Sequence, residues 1–115
     1  MATSREIYEA KMLERKYGVV GRVAGRYRTA GYTVEVRDPG EDAPYNFVAL
    51  KKREKIVVKV FSRQGVVPAD VIDSLRESAG SAKKVLVLYG SGPKVTAELV
   101  TRARELGVSI KRVRA

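Results

Sequence analysis

An α/β fold is what this chain predicts, on three observations. Apolar residues recur every three or four positions near the N-terminus, β-branched runs bounded by turn residues fill the middle, and the two patterns then alternate to the end. The resulting order is α-β-β-β-α-β-α-β.

The first helix opens on a capping box, Thr3-Ser4-Arg5-Glu6, and carries Ile7, Ala10, Leu13, Tyr17, Val20, Ala24 and Tyr27 at helical spacing. It is one long helix, or two in series, ending at Gly31. Gly18, Gly21 and Gly25 each weaken a helix by up to about 1 kcal/mol relative to Ala, so a kink or a close helix contact is expected between residues 18 and 25. Thr33, Val34 and Val36 mark a strand from Tyr32 to Arg37. Asp38-Pro39-Gly40 closes it, and an acidic, exposed loop follows through Pro44. Tyr45 to Lys51 and Lys55 to Ser62 read as a hairpin whose tip, Lys52-Arg53-Glu54, is basic.

Pro68 sits near the first turn of the next helix, which runs to about Ala79 and buries Val71, Ile72 and Leu75. Lys84 to Tyr89 is a buried strand, Pro93 to Leu106 a helix stopped by Gly107, and Val108 to Val113 a last strand. Gly90-Ser91-Gly92-Pro93-Lys94 lies between a strand and a helix but lacks the Gly-Lys-Ser/Thr of a phosphate-binding P-loop, so it reads as an ordinary turn.

At 115 residues and 44% hydrophobic content, the chain suffices for one core without staples. With neither Cys nor His there is no thiolate nucleophile, no disulfide and no imidazole base, which removes most hydrolase and zinc chemistry. No cofactor and no bound metal are expected. No apolar run approaches the roughly 20 residues of a membrane span, and Met-Ala-Thr-Ser-Arg-Glu lacks the apolar stretch of a signal peptide. A cytoplasmic protein without membrane partners is expected. One Asn (Asn46) and one Gln (Gln64) fit the avoidance of thermolabile amides in thermophiles.

Charge points to the partner. Lys and Arg number 23 against 13 Asp and Glu, a formal +10 with pI near 10.1, so a polyanion is the expected ligand and its binding should weaken as salt rises. The candidate nucleic-acid contacts are Arg22 and Arg26 on the first helix, Lys51, Lys52, Arg53 and Lys55 around the hairpin, then Lys59 and Arg63. Arg28, Lys83, Lys84 and Lys94 could extend this surface. Its aromatic residues are too scattered to define a stacking platform, which favours backbone or shape recognition over base reading.

The central strands carry one more pattern. Thirteen positions separate Asn46 from Lys59, with Phe61 two beyond, and strand alternation puts Lys59 and Phe61 on one face. In this spacing, and in element order over roughly residues 17 to 113, the runs Tyr45-Asn46-Phe47-Val48-Ala49-Leu50 and Ile56-Val57-Val58-Lys59-Val60-Phe61 resemble the PD-(D/E)xK, restriction-endonuclease-like superfamily, and within it the archaeal Holliday-junction resolvases. The resemblance implies a three-layer α/β/α core with a mixed central sheet, a single nuclease-like domain over 1–115 with residues 1–16 as an added helical segment, and a homodimer. It also implies that Asn46 stands at the family's Asp position, Lys59 at its Glu and Phe61 at its Lys, while the first-helix Glu falls near Val20 or Gly21.

Three vestigial positions thus offer an amide, an ammonium and an apolar ring where the family holds Mg²⁺ on carboxylates. Lys59 is read as a tethered ammonium able to hold a phosphate or as an exposed strand lysine, and Phe61 as a core or partner-facing aromatic. The expected function is a noncatalytic DNA-binding protein directed to structure or backbone. One alternative is a nuclease with migrated acids, for which Glu35, Asp38, Glu41 and Asp42 are available. Another is a noncatalytic subunit of an active nuclease paralogue, with Phe61 and the glycine-bearing helix face as packing surface.

Overall fold

The computed structural model describes residues 2–115. Two helices open the chain, α1 (Ser4–Tyr17) and α2 (Val19–Thr29). The expected capping box forms: the Thr3 side chain accepts from the Glu6 amide and the Glu6 carboxylate accepts from the Thr3 amide. The break between the helices is a single residue, Gly18, whose φ of 62° lies in the left-handed region. It ends α1 by donating to Glu14 O and starts α2 by accepting from the Arg22 amide. The two helices fold back on each other, and the other two glycines explain how closely. A Cβ on Gly21 would lie 1.8 Å from the Leu13 carbonyl oxygen, and one on Gly25 would lie 3.1 Å from the Ala10 Cβ. Arg28 then fastens the open end of the pair, donating to Glu9 at 2.6 Å and to Glu6 at 3.3 Å.

Five strands form the main sheet: β1 (Thr33–Val36), β2 (Phe47–Lys51), β3 (Glu54–Phe61), β5 (Lys83–Tyr89) and β7 (Val108–Val113), in spatial order β1-β2-β3-β5-β7. The first three are antiparallel neighbours and the last two add in parallel, so the sheet is mixed. Two-residue strands β4 (Gly65–Val66) and β6 (Pro93–Lys94) pair with each other outside it. Helices α3 (Ala69–Ala79) and α4 (Ala97–Glu105) complete the three-layer α/β/α arrangement.

Strand alternation divides the core into two. Val48, Val57, Phe61, Leu86 and Leu88 face Ile72 and Leu75 of α3 and Leu99 and Ala103 of α4. Phe47, Ala49, Ile56, Val58, Val60, Val85 and Val87 face Val20, Val23 and Ala24 of α2.

The order of the main elements agrees with expectation; the short strands β4 and β6 are additional, and two details differ. Pro93 does not open the last helix. It is buried in the β4/β6 pair, and Thr96 caps α4 by accepting from the Leu99 amide. The turn before it is held from outside, because Arg112 donates to Gly90 O at 2.6 Å and to Pro93 O at 2.7 Å. The hairpin tip is also tighter than expected: Lys51 pairs with Glu54, and Lys52 takes the left-handed conformation with φ 54°. No helix among the described residues is long and apolar enough to cross a membrane.

Candidate functional site

Asn46 and Lys59 are the two buried polar residues among the described residues, 1% and 3% exposed. Asn46 lies just before β2, where its amide donates to Val58 O and its carbonyl accepts from the amides of Arg37 and Asp38. Its side chain is used at both ends. Oδ1 accepts from the Val60 amide at 2.7 Å, standing in for a ladder carbonyl, and Nδ2 donates to Asp38 O at 2.8 Å and Gly40 O at 3.0 Å.

Lys59, on β3, sends its ammonium to Glu41 O at 2.6 Å and Ala43 O at 2.7 Å. Burial holds its pKa below the usual lysine range, with Arg63 adding to the effect, while Asp42, Asp38 and Glu41 pull it back up. Phe61 is 5% exposed, packed in the core against the α3 and α4 side, with the Arg63 guanidinium 5.1 Å from its ring centre.

This geometry corrects two expectations. Lys59 is neither an exposed strand lysine nor free to hold a phosphate, because two carbonyls already take its charge and the loop covers it. The acidic 38–44 loop is not wholly exposed: Ala43 is buried, and the loop is drawn down by Asn46 and Lys59. The small cleft beside it, about 120 Å³, is of mixed charge, since Glu41, Asp42 and Asp70 line it against Lys59 and Arg63.

Nor do these residues fit a divalent cation. Asn46 brings one neutral carbonyl oxygen that already accepts from the Val60 amide, Lys59 brings positive charge, and Phe61 brings no ligand atom. Among the described residues, no three His, Cys, Asp or Glu side chains are placed to share an ion. Of the acids considered as migrated ligands, Glu35 is bonded to Arg37 at 3.0 Å and Asp38 accepts from the Gly40 amide. The two packing surfaces considered for a partner subunit are used within the chain: Phe61 in the core, Gly21 and Gly25 against α1.

The remaining basic residues do not form one patch. Lys51, Lys52, Arg53 and Lys55 are exposed at the hairpin end of the sheet, with Lys83 beside them. Arg63 lies past the other end of β3, ~23 Å away along the strand. Lys51 is partly committed, donating to Ala30 O with its ammonium 5.1 Å from the Tyr32 ring centre. Arg28 is spent on Glu6 and Glu9, and Lys84 on Ala82 O. Lys94 is exposed on β6.

Arg22 and Arg26 are exposed on α2 and flank a feature the sequence did not reveal. Because α2 lies over the β1–β3 half of the sheet, a groove of about 490 Å³ opens between it and β7. Arg26, Lys83, Lys111 and Arg112 line this groove, against Glu54 as its single acid. Lys111 alternates with Ile110 in the last strand, a signal present in the sequence but meaningless until β7 is known to lie beside β5.

No protein-family model matches the sequence, and no curated protein matches it. Two solved structures resemble it. A repair endonuclease from Pyrococcus abyssi superposes with a TM-score of 0.51 at 16% identity, over 99% of this chain and 48% of the other. Pyrococcus furiosus SfsA, solved with Ca²⁺, superposes with a TM-score of 0.46 at 19% identity, over 59% of this chain and 41% of the other. The chain thus spans less than half the length of either protein. The fold is a nuclease-like α/β fold with a mixed five-stranded sheet.

Proposed function

We propose that this chain is a noncatalytic nucleic-acid-binding protein, directed to DNA through structure or backbone, on a PD-(D/E)xK-type scaffold that no longer cuts. One observation carries the loss of chemistry: the Lys59 ammonium is buried at the family's Glu position and bonded to two loop carbonyls. A fixed cation there repels the metal that would activate water and neutralise the charge growing on phosphorus. Asn46 reinforces this, since both ends of its amide are occupied.

Binding is a separate matter from cutting. The +10 charge supports a polyanionic partner, and the cations free to meet it lie on the hairpin end and along the α2 groove, away from the altered site. The chain acts in this reading as a homodimer or as a noncatalytic companion of an active paralogue.

The test is one titration and one incubation with the full chain. Fluorescence anisotropy with labelled single-stranded, duplex and four-way-junction DNA should show affinity falling linearly on a log–log salt plot, and the same DNAs should stay intact in Mg²⁺ or Mn²⁺. Metal-dependent cleavage sinks the noncatalytic assignment. Binding that is undetectable or indifferent to salt sinks the nucleic-acid assignment.

A further inference from the structure

The groove between α2 and β7 has a shape and charge that select one form of nucleic acid. We infer that it binds a single strand, with phosphates on its cationic rim and bases against its apolar and aromatic walls; this rests on the nucleic-acid reading above and deepens it.

Position comes first. The strand pairing sets Val85 beside Ser109 and Val87 beside Lys111, on the sheet face that α2 shares but does not fully cover. Arg26 stands on the helix side of the resulting slot and Lys111 on the strand side. Lys83 lies at its hairpin end, four residues and so ~13 Å along β5 from the level of Lys111, which leaves room for more than one phosphate. Arg22 marks the other end, its guanidinium 5.9 Å from the Tyr89 ring centre.

Charge comes next. Neither Arg26 nor Lys111 is paired with a carboxylate among the described residues, and the one acid of the slot, Glu54, is held by Lys83 at 3.4 Å and by the Tyr32 hydroxyl at 3.3 Å. Two unpaired cations facing each other across a slot attract a polyanion laid along it, and the same slot repels a second copy of this +10 chain.

Shape decides between strands. The opening is bounded by a helix on one side and an edge strand on the other, and its volume of about 490 Å³ suits a few nucleotides of a single chain rather than the body of a duplex. Its lining includes Val113, Tyr27 and Tyr32, surfaces that bases pack on without sequence preference.

The experiment compares two charge-matched double variants of the full chain. Arg26→Glu with Lys111→Glu alters the groove, and Arg76→Glu with Arg104→Glu makes the same change of net charge on exposed residues of α3 and α4. Each binds labelled oligo(dT) and a duplex of equal length, with thermal melts and sedimentation run on both, and Arg26→Gln with Lys111→Gln serves if the reversal disturbs folding.

The groove variant should lose more than tenfold in oligo(dT) affinity beyond the control. Its salt slope should shallow by about 1.4, two contacts at ~0.7 each for a single strand, and duplex binding should change no more than in the control. Oligo(dT) affinity equal to the control, or an equal loss for duplex, overturns the groove assignment while leaving nucleic-acid binding intact. Altered sedimentation with unchanged DNA affinity assigns the groove to a second copy and overturns it too. A wild-type chain that binds no DNA at all instead removes the underlying reading.

Discussion

Asn46, just before β2, and Lys59, on β3, hold one loop between them: the Asn46 side-chain nitrogen donates to the carbonyls of Asp38 and Gly40, and the Lys59 ammonium donates to those of Glu41 and Ala43. The loop leaves the sheet at Arg37 and returns at Asn46, so its carbonyls have no strand partners and would otherwise turn into the protein unsatisfied. Both side chains are thereby spent on gathering main chain.

Replacing Lys59 by Met keeps an unbranched side chain, one atom shorter, and removes the ammonium that donates to both carbonyls. Two inward carbonyls are then left unpaired, and the cost should be about 1–3 kcal/mol at neutral pH, read from urea midpoints. The pH dependence has a definite sign. Because Lys59 has a lowered pKa in the folded chain, it releases its proton there before it does in the unfolded chain, whose value is near 10.5. Wild-type stability therefore gains as pH rises from the lowered value to 10.5, while the neutral amine still has two N–H groups for the carbonyls. Lys59→Met lacks that gain, so the gap between the two proteins should widen as pH rises through this window. A constant gap would mean that Lys59 titrates like a surface lysine.

Asn46→Asp, an isosteric change from amide to carboxylate, should destabilise. The carboxylate keeps the bond from the Val60 amide but turns an oxygen onto Asp38 O and Gly40 O, in a site 1% exposed. An uncompensated buried charge costs about 3 kcal/mol or more. Burial raises the new acid's pKa in the folded state, so the deficit should be full at neutral pH and shrink as pH falls through that raised value towards ~3.9. Chemical denaturation at pH 5 and pH 7 checks this, and wild-type stability at pH 7 would show that the loop tolerates an acid.

Gly21→Ala should separate α1 from α2. The added carbon falls 1.8 Å from the Leu13 carbonyl oxygen, a main-chain atom that moves only if the helix moves. Gly25→Ala meets Ala10 Cβ at 3.1 Å, where a few tenths of an ångström suffice. Overpacking of the first kind costs about 3 kcal/mol and the second distinctly less. Hydrogen exchange should rise across residues 4–17 in Gly21→Ala while the sheet stays protected, and equal effects from the two variants would contradict the close approach.

Much of this fold was legible in local pattern. The β-branched runs located the hairpin and the strands around it, Val108–Val113 falls where expected, and the three glycines announced the helix contact. Pro93 misled, because a proline before an amphipathic run reads as a first helical turn, whereas here it pairs with Gly65 of a distant segment. The fate of Lys59 was illegible for a related reason: a lysine in a strand is assigned to solvent unless one knows that carbonyls 16 and 18 residues earlier return to meet it. The groove depends on β7 lying beside β5, a long-range pairing that no window of sequence contains.

Lys52 offers a prediction in which stability and binding move in opposite directions. At the hairpin tip it adopts φ 54°, a conformation that costs an L-residue with a side chain roughly 1 kcal/mol and glycine almost nothing. It is exposed beside Arg53 and Lys55, in a segment of like charge. Lys52→Gly should thus relieve backbone strain and charge repulsion together, raising stability by up to about 1 kcal/mol, offset in part by the freer unfolded chain that glycine confers. If the tip also touches phosphate, the same change removes one cation from the interface and lowers the salt slope for duplex DNA by about 0.9. A stabilised variant with an unaltered slope would show that Lys52 makes no phosphate contact with the duplex, and a destabilised one would show that the tight turn is held by the lysine side chain itself.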